Sequence, residues 1–247
     1  MAGTAVLGRL TWRVAEVADV VEETPRTRTL VLDVDGWNGH RAGQHVDIRL
    51  TAEDGYQAVR SYSLGLAGEG STVEIGVDEV PDGEVSPYLV RDVAPGDSLE
   101  VLGPLGGYFV WRETDPSPVQ LIAGGSGIVP LRAMVRARLA AATEQPFRLL
   151  VSVRTPQDAI YRDELESVAD GGGVDVTWAY TREAPASWAG EVGRLTPEAI
   201  DAAVWPVADD PVVYVCGPTG FVEFVAHELV TRGHSPRRIK TERFGGI

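Results

Sequence analysis

A glycine-rich turn in the second half of the chain is the first candidate for nucleotide chemistry. The apolar run at residues 119–123 predicts a strand buried on both faces, and it leads into Gly125-Ser126-Gly127. Pro130 follows at the start of a helix predicted over residues 130–142. A helix that begins after glycines offers free backbone N–H groups to a phosphate and lets it approach closely. The pattern predicts a phosphate-binding turn or, with no ligand, a tight strand-to-helix connection.

A second candidate lies in the strand predicted over residues 60–66. Its first residues are Arg60-Ser61-Tyr62-Ser63, so Arg60 and Tyr62 share one face of the strand and the two serines share the other. A guanidinium binds phosphate through paired hydrogen bonds, and a phenol ring stacks on flat ring systems. These residues suit an anionic ligand with an aromatic ring system, or an ordinary strand with a solvated arginine.

A third candidate is the turn Gly83-Glu84-Val85-Ser86, which Pro87 follows. Ser86 before a proline predicts the N-cap of a short helix over residues 87–92. The first N–H groups of that helix either bind a phosphate or are simply capped by the serine.

The remaining candidates lie near the end of the chain. Cys216-Gly217-Pro218 ends a predicted buried strand, and ligands of doubly wound sheets lie beyond such strand ends. Cys216 therefore lines a site or is a small buried apolar residue. Glu242 and Phe244 end the last predicted strand, where they face a cleft or lie at the surface.

The elements that must position these residues change character midway along the chain. The first half contains six β-rich runs separated by turns, which predict an antiparallel barrel or sandwich: residues 14–21, 29–34, 45–50, 60–66, 72–77 and 98–102. The second half alternates strands at 119–123, 148–153, 174–180, 212–216 and 237–242 with helices at 130–142, 158–169, 197–203 and 221–232. This alternation predicts a parallel sheet with crossover helices. A polar stretch with two prolines, residues 111–118, separates the halves.

Composition excludes several classes of protein. The net charge of −14 repels nucleic acid and anionic lipid. The single cysteine excludes an internal disulfide and a four-cysteine cluster, and the four histidines are scattered without metal-ligand spacing, so no metal site is predicted. No apolar run reaches about 18 residues, and residues 1–10 lack a signal-like apolar segment. A cytoplasmic protein without a membrane or nucleic-acid partner is expected.

Taken in order, the motifs resemble those of the ferredoxin–NADP reductase family of flavoproteins over nearly the whole chain. The resemblance implies an α+β two-domain fold. A six-stranded antiparallel β-barrel that binds FAD would occupy residues 1–112. An α/β parallel-sheet domain that binds the nicotinamide cofactor would occupy residues 113–247.

The resemblance also implies roles for individual residues. Arg60 would hold the flavin pyrophosphate, Tyr62 would stack on the isoalloxazine, and Ser63 would lie near its reactive nitrogen. The remaining flavin-binding residues would be Ser61, Gly83, Val85 and Ser86, and Phe244 would face the flavin. The catalytic residues would be Ser63, Cys216 and Glu242. The nicotinamide dinucleotide would be bound by Gly125, Ser126, Gly127, Pro130, Ser152, Arg154, Thr181, Arg182, Cys216, Gly217 and Pro218.

Two cofactor choices follow. Arg60 together with a helix start at Ser86 suits two phosphates and favours FAD over FMN. Thr181-Arg182 resembles the residue pair with which this family binds the adenosine 2′-phosphate, which favours NADPH. Glu183 beside it leaves NADH open.

The function implied is an NAD(P)H-dependent FAD oxidoreductase that passes electrons from NADPH through bound FAD to a separate acceptor. The acceptor would be a ferredoxin, an oxygenase or a P450 system. The acidic net charge disfavours an acidic ferredoxin unless a local basic patch forms, from Arg132, Arg136 and Arg138 or from Arg237, Arg238 and Lys240. The alternatives are a flavin reductase that uses free flavin as a substrate, and a non-catalytic nicotinamide-sensing electron-transfer subunit.

Overall fold

The first half of the chain folds into a six-stranded antiparallel sheet. The computed structural model describes residues 10–141 and 143–245. The strands are β1 Arg13–Thr24, β2 Thr27–Val34, β3 His45–Thr51, β4 Gln57–Ser63, β5 Thr72–Asp78 and β6 Ser98–Leu105. They lie in the order β4-β3-β6-β1-β2-β5. The outer strands meet where Leu64 bridges to Ile75, so the sheet curls into a barrel.

Alternating apolar residues fill this barrel. In β3, Val46 and Ile48 are fully buried, whereas Asp47 between them is partly exposed. A short helix, α1 (Ser86–Arg91), covers the barrel with Leu89 in the core. Strand β4 pairs with β3 so that Tyr62 lies opposite Val46 and packs against the core.

The second half is a five-stranded parallel sheet with helices on both faces. Its strands are β7 Val119–Gly124, β8 Phe147–Val153, β9 Asp175–Tyr180, β10 Val212–Pro218 and β11 Ile239–Phe244. Its helices are α2 Ile128–Ala140, α3 Arg162–Asp170, α4 Pro197–Ala203 and α5 Thr219–Thr231. The strand order is β11-β10-β7-β8-β9, so the winding reverses between β7 and β10. Ligands of such sheets bind outside the carboxyl ends of the strands at this reversal.

A buried ion-pair network joins the two domains. Arg132 of α2 is only 5% exposed, and its guanidinium contacts the carboxylates of Glu74 in β5 and Glu164 in α3. Arg136, one helical turn later, binds the same carboxylates at 3.1 and 2.6 Å. The Arg132 guanidinium also lies 3.8 Å from the ring centroid of Tyr161. Arg132 and Glu74 are paired away from water, so the loss of either partner would leave the other charge buried without full compensation.

The predicted architecture of an antiparallel barrel followed by a parallel sheet is confirmed, with shifts at the ends of elements. Strand β4 begins at Gln57 rather than at residue 60. The helix predicted over residues 158–169 is a 3₁₀ turn at Pro156–Asp158 followed by α3, because Tyr161 adopts a left-handed conformation (φ 59°). Among the described residues, no helix has the length and apolar character needed to cross a membrane.

Some predicted segments extend beyond the described residues. The predicted helix over 130–142 ends at Ala140, and Ala142 lies outside the described residues. Residues 1–9 and 246–247, which the two predicted domains include, also lie outside them. The domain boundary at residues 112 and 113 stays a prediction.

The predicted N-cap at Ser86 is wrong. The helix begins at Ser86 itself, and Val85 is its N-cap without a side-chain capping bond. The hydroxyl of Ser86 instead accepts a hydrogen bond from the N–H of Val80 at 3.0 Å. This bond closes the preceding turn, so the hydroxyl stabilises the loop and does not cap the helix.

The arginines of α2, which the sequence left open as a local basic patch, are engaged by other groups of the chain. Arg132 and Arg136 are engaged with Glu74 and Glu164 at the domain interface, as described above. The Nε of Arg138 donates to the carbonyl of Gln145 at 3.1 Å.

Two members of the second possible group, Arg238 and Lys240, are also engaged. Arg238 pairs with Asp210 at 3.3 Å. The ammonium of Lys240 donates to the carbonyl of Val110 at 3.2 Å and to the hydroxyl of Tyr214 at 3.3 Å.

Candidate functional site

The carboxyl ends of the parallel strands open into a cleft against the barrel, with a volume of about 360 Å³. One wall consists of residues at or after the strand ends: Gly124, Gly125, Ser126, Ser152, Val153, Arg154, Asp158, Ile160, Thr181, Pro218, Phe221 and Phe244. The barrel supplies the other wall: Thr24, Arg26, Thr27, Asp78, Glu79, Val80 and Pro81. The cleft therefore lies between the domains and collects many of the residues predicted to bind the dinucleotide.

The glycine turn after β7 uses its glycines for two different purposes. Gly125 has a φ of +55°, and a Cβ added there would meet no atom within 4 Å. The turn thus presents bare backbone to the cleft, which fits the close approach of a dinucleotide phosphate. A Cβ on Gly127 would lie 2.2 Å from the carbonyl oxygen of Cys216, so this glycine lets the turn pack on β10. Pro130 is buried in the first turn of α2, behind the glycines.

Polar residues at the ends of β8 and β9 lie on the same side of the cleft. The N–H of Thr181 donates to the carbonyl of Val153, and the N–H of Arg182 donates to that of Arg154, both at 2.9 Å. These bonds extend the strand pairing and set the two exposed arginines side by side. Ser152 is buried beneath them. Ser152, Arg154 and Thr181 line the cleft, and hydroxyl and guanidinium groups of this kind can donate hydrogen bonds to a phosphate monoester.

The flavin-binding residues predicted in β4 lie on an outer strand of the barrel. Tyr62 packs against the barrel core opposite Val46, and burial raises the pKa of its phenol. The hydroxyl of Ser61 donates to a carboxylate oxygen of Asp47 at 2.6 Å. Arg60 remains half-exposed. The strand therefore places a largely buried aromatic ring two residues from a half-exposed cation.

Arg60 is bound by the neighbouring turn. Its Nη2 donates to Oε2 of Glu84 at 2.5 Å, and its Nη1 donates to the carbonyl of its neighbour Val59 at 2.8 Å. The hydroxyl of Tyr56 donates to the other oxygen of Glu84 at 2.7 Å. The turn itself is closed by a bond from the N–H of Gly83 to the carbonyl of Val80 at 2.8 Å.

That turn also places the other residues predicted to bind the flavin. Val85 is fully buried in the barrel core, and Ser86 is buried beside it. The backbone bond from Gly83 therefore anchors one end of the turn, and the buried residues Val85 and Ser86 anchor the other end. Glu84 between them projects to Arg60.

The three residues predicted as catalytic lie on two strand pairs that face each other. Ser63 of β4 is paired with His45 of β3, and Cys216 of β10 is paired with Glu242 of β11. Nδ1 of His45 lies 3.8 Å from Oε1 of Glu242. This contact joins the barrel to the nucleotide domain at the carboxyl end of β10, next to Gly217. Sequence reasoning assigned no functional role to His45, because its partner lies on a distant strand.

Burial controls the charges at this contact. It raises the pKa of Glu242 to about 7 and lowers that of His45. Oε2 of Glu242 is buried and has no hydrogen-bond partner among the described residues. Burial also raises the pKa of the Cys216 thiol, which is therefore uncharged. A carboxyl that is half protonated near neutral pH, with one free oxygen, fits a ligand group that needs a hydrogen bond or a proton.

Comparison with known proteins supplies independent findings for the two halves. Residues 14–110 match a family model described as an oxidoreductase FAD-binding domain. Residues 121–227 match one described as an oxidoreductase NAD-binding domain. Ferredoxin–NADP reductase B of Sorangium cellulosum is 35% identical over 190 residues, which cover 74% of this chain and 76% of that protein.

Solved structures share the whole architecture. The FAD/NAD-binding domain of nitric oxide dioxygenase from Vibrio cholerae has a TM-score of 0.83 at 26% identity and covers 95% of this chain and 99% of that one. A cytochrome P450 reductase of Amycolatopsis has a TM-score of 0.82 at 29% identity and covers 98% of this chain and 73% of that one. The chain spans about half the length of the flavohemoproteins it matches, for example 52% of that of Vibrio cholerae.

Proposed function

Because this chain belongs to the ferredoxin–NADP reductase family of flavoproteins, we propose that it draws on NADPH and delivers electrons to a separate acceptor protein. It has an FAD-binding and an NAD-binding domain, and it is an NAD(P)H-dependent flavoprotein reductase. When bound, FAD accepts a hydride from the reduced nicotinamide and releases electrons singly.

The contact between His45 and Glu242 is the observation that carries the proposal. It brings the strand of Ser63, on the barrel, to the strand end of Cys216, on the nucleotide domain. Hydride transfer requires the two nucleotides to meet at van der Waals distance with water excluded. Two domains that each bind one nucleotide and touch at this point would meet that requirement if both nucleotides reach the contact.

Each residue at the contact would have a distinct task. The hydroxyl of Ser63 would hydrogen-bond the flavin ring, and the buried Cys216 would leave room for the nicotinamide while excluding water. Oε2 of Glu242 would hold or release a proton at the domain contact. Phe244, which is 38% exposed at the cleft, would cover the flavin ring.

The choice of NADPH follows from the donors at the ends of β8 and β9. Ser152, Arg154 and Thr181 line the cleft, and Arg182 lies beside them. Their hydroxyls and guanidiniums suit a 2′-phosphate, which NADH lacks. Glu183 follows directly and moderates the preference, because its carboxylate repels a phosphate.

The acceptor we favour is an oxygenase or P450 component rather than an acidic ferredoxin. The chain carries a net charge of −14, and the arginines of α2 are engaged at the domain interface. An acidic partner would therefore meet repulsion. The structural similarity to a cytochrome P450 reductase supports this choice.

A second candidate is a flavin reductase that uses free flavin as a diffusing substrate. The ion pair between Arg60 and Glu84 favours it, because it occupies the cation expected to hold the flavin phosphates. The two candidates differ in whether flavin stays bound during purification and gel filtration.

Anaerobic titration of the purified protein tests the proposal. We expect bound FAD to be bleached within seconds by NADPH and more slowly by NADH, and to be reoxidised by an oxygenase or P450 component. Protein that binds no FAD even after its addition would overturn the proposal. Binding of NADPH without bleaching would instead identify a non-catalytic nicotinamide-sensing subunit.

A further inference from the structure

The turn before α1 places a carboxylate on the arginine expected to bind phosphate. Glu84 and Arg60 are 2.5 Å apart and similarly exposed, with 47% and 50% of their side chains accessible. The hydroxyl of Tyr56 binds the second oxygen of Glu84 at 2.7 Å. Both carboxylate oxygens therefore have a donor, and the carboxylate is oriented toward the guanidinium.

These two donors also keep Glu84 ionised. Hydrogen bonds from Tyr56 and Arg60 lower the pKa of its carboxyl. A phosphate that approached Arg60 would meet a full negative charge already in hydrogen-bond contact with the same group. It would have to displace that carboxylate or share the guanidinium with it, and either event weakens binding.

We propose that Glu84 limits how strongly this chain retains flavin nucleotide, by competing with the flavin phosphates for Arg60. The inference rests on the proposed function, since it assumes that flavin binds at Arg60. Glu84 would then influence whether the flavin stays bound or exchanges with free flavin. Tyr56 would hold Glu84 in place through its hydrogen bond. In the opposite role, the carboxylate of Glu84 would orient Arg60 toward the flavin phosphates. Glu84 would then strengthen flavin binding.

Equilibrium titration with FAD tests the proposal without any turnover. Binding is monitored by the quenching of flavin fluorescence. We expect Glu84→Gln to lower the Kd for FAD by about 1.5-fold to fivefold, since exposed charge contacts contribute effects of this order. Riboflavin, which has no phosphate, should bind both proteins equally. Glu166→Gln is the matched control, because Glu166 pairs with Arg162 at 2.7 Å and is 46% exposed, and it should leave the Kd unchanged.

Two further variants keep the result interpretable. Tyr56→Phe releases Glu84 without changing any charge and should lower the Kd for FAD by a smaller factor. Because Tyr56 is 57% exposed, this variant reports even where Glu84→Gln folds poorly. In an Arg60→Ala background, which should itself weaken FAD binding, Glu84→Gln should lose most of its effect.

The outcomes separate this inference from the proposed function. FAD that binds with a Kd unchanged or raised by Glu84→Gln overturns the competition and leaves the reductase function standing. An equal gain for riboflavin also overturns it, because the effect would not involve phosphate. If neither the wild-type protein nor any variant binds flavin, the proposed function fails, and the inference fails with it.

Discussion

Replacing Glu242 by glutamine should stabilise the folded protein at alkaline pH and leave its stability unchanged at acid pH. Burial raises the pKa of this carboxyl from 4.5 to about 7. As the pH rises between these values, the unfolded chain releases the proton while the folded chain keeps it. The free energy of unfolding of the wild type therefore falls across this interval and is lowest above pH 7.

The size of the effect follows from the shift in pKa. Each unit corresponds to about 1.4 kcal/mol, so the shift sets an upper limit of roughly 3 kcal/mol. The Glu242 side chain is 26% exposed, and partial solvation reduces the expected gain to about 2 kcal/mol.

Within residues 10–141 and 143–245, no neighbouring cation offsets this penalty. Burial lowers the pKa of His45, so the imidazole has lost its proton by the pH at which Glu242 ionises. The thiol of Cys216 is neutral over the same range. The 3.8 Å contact between His45 and Glu242 therefore is not an ion pair at neutral pH.

Urea unfolding of the wild type and Glu242→Gln, measured from about pH 4.5 to about pH 8.5, checks the prediction. The two curves should coincide at the acid end and separate progressively toward neutral pH. Glu166→Gln should run parallel to the wild type through the neutral range. A stability difference that is constant with pH, or a wild type that is more stable than the variant at alkaline pH, would refute the reasoning.

Other variants test other parts of the site. Arg182→Ala should raise the KM for NADPH by about tenfold and change that for NADH little, because it removes a charge-assisted contact to the 2′-phosphate; equal effects in steady-state kinetics would exclude that contact. Arg132→Met should lower the free energy of unfolding by about 3 kcal/mol in urea titration, because it leaves the carboxylate of Glu74 buried with reduced compensation; a shift below about 1 kcal/mol would mean that Arg136 alone suffices. Gly127→Ala should destabilise the protein by about 1–3 kcal/mol in thermal unfolding, because its Cβ would overlap a carbonyl oxygen at 2.2 Å; an unchanged Tm would contradict the contact.

The two-domain architecture was predictable because its signals are local. The change from period-two runs to alternating strands and helices marks the two halves, and the glycines after β7 follow a continuous apolar strand. These signals also located the cleft, since Gly125, Ser152, Thr181 and Pro218 all lie at or just beyond the ends of parallel strands and line it.

The unpredicted features depend on residues that are distant in the sequence. Arg132 and Arg136 have the spacing of an exposed helical stripe, and only the fold brings Glu74 to them. His45 lies against Glu242 because two separate sheets meet at that point. Gly125 and Gly127 look equivalent in the sequence, but only the second is required by the approach of Cys216.

The correction at Ser86 has a local cause. A serine before a proline indicates an N-cap, but the hydroxyl binds the N–H of Val80 in the preceding turn. Competition of this kind between neighbouring backbone groups is common for serine, and the sequence does not show which group the hydroxyl will bind.

The ion-pair network between the domains constrains any exchange of modules within the family. Glu74 comes from the barrel, whereas its two guanidinium partners come from the nucleotide domain. A chimera that joins this barrel to the dinucleotide domain of another reductase would bury a lone carboxylate unless the recipient helix carried basic residues at both matching positions. Recombination at the interdomain connection therefore has to transplant these three side chains together.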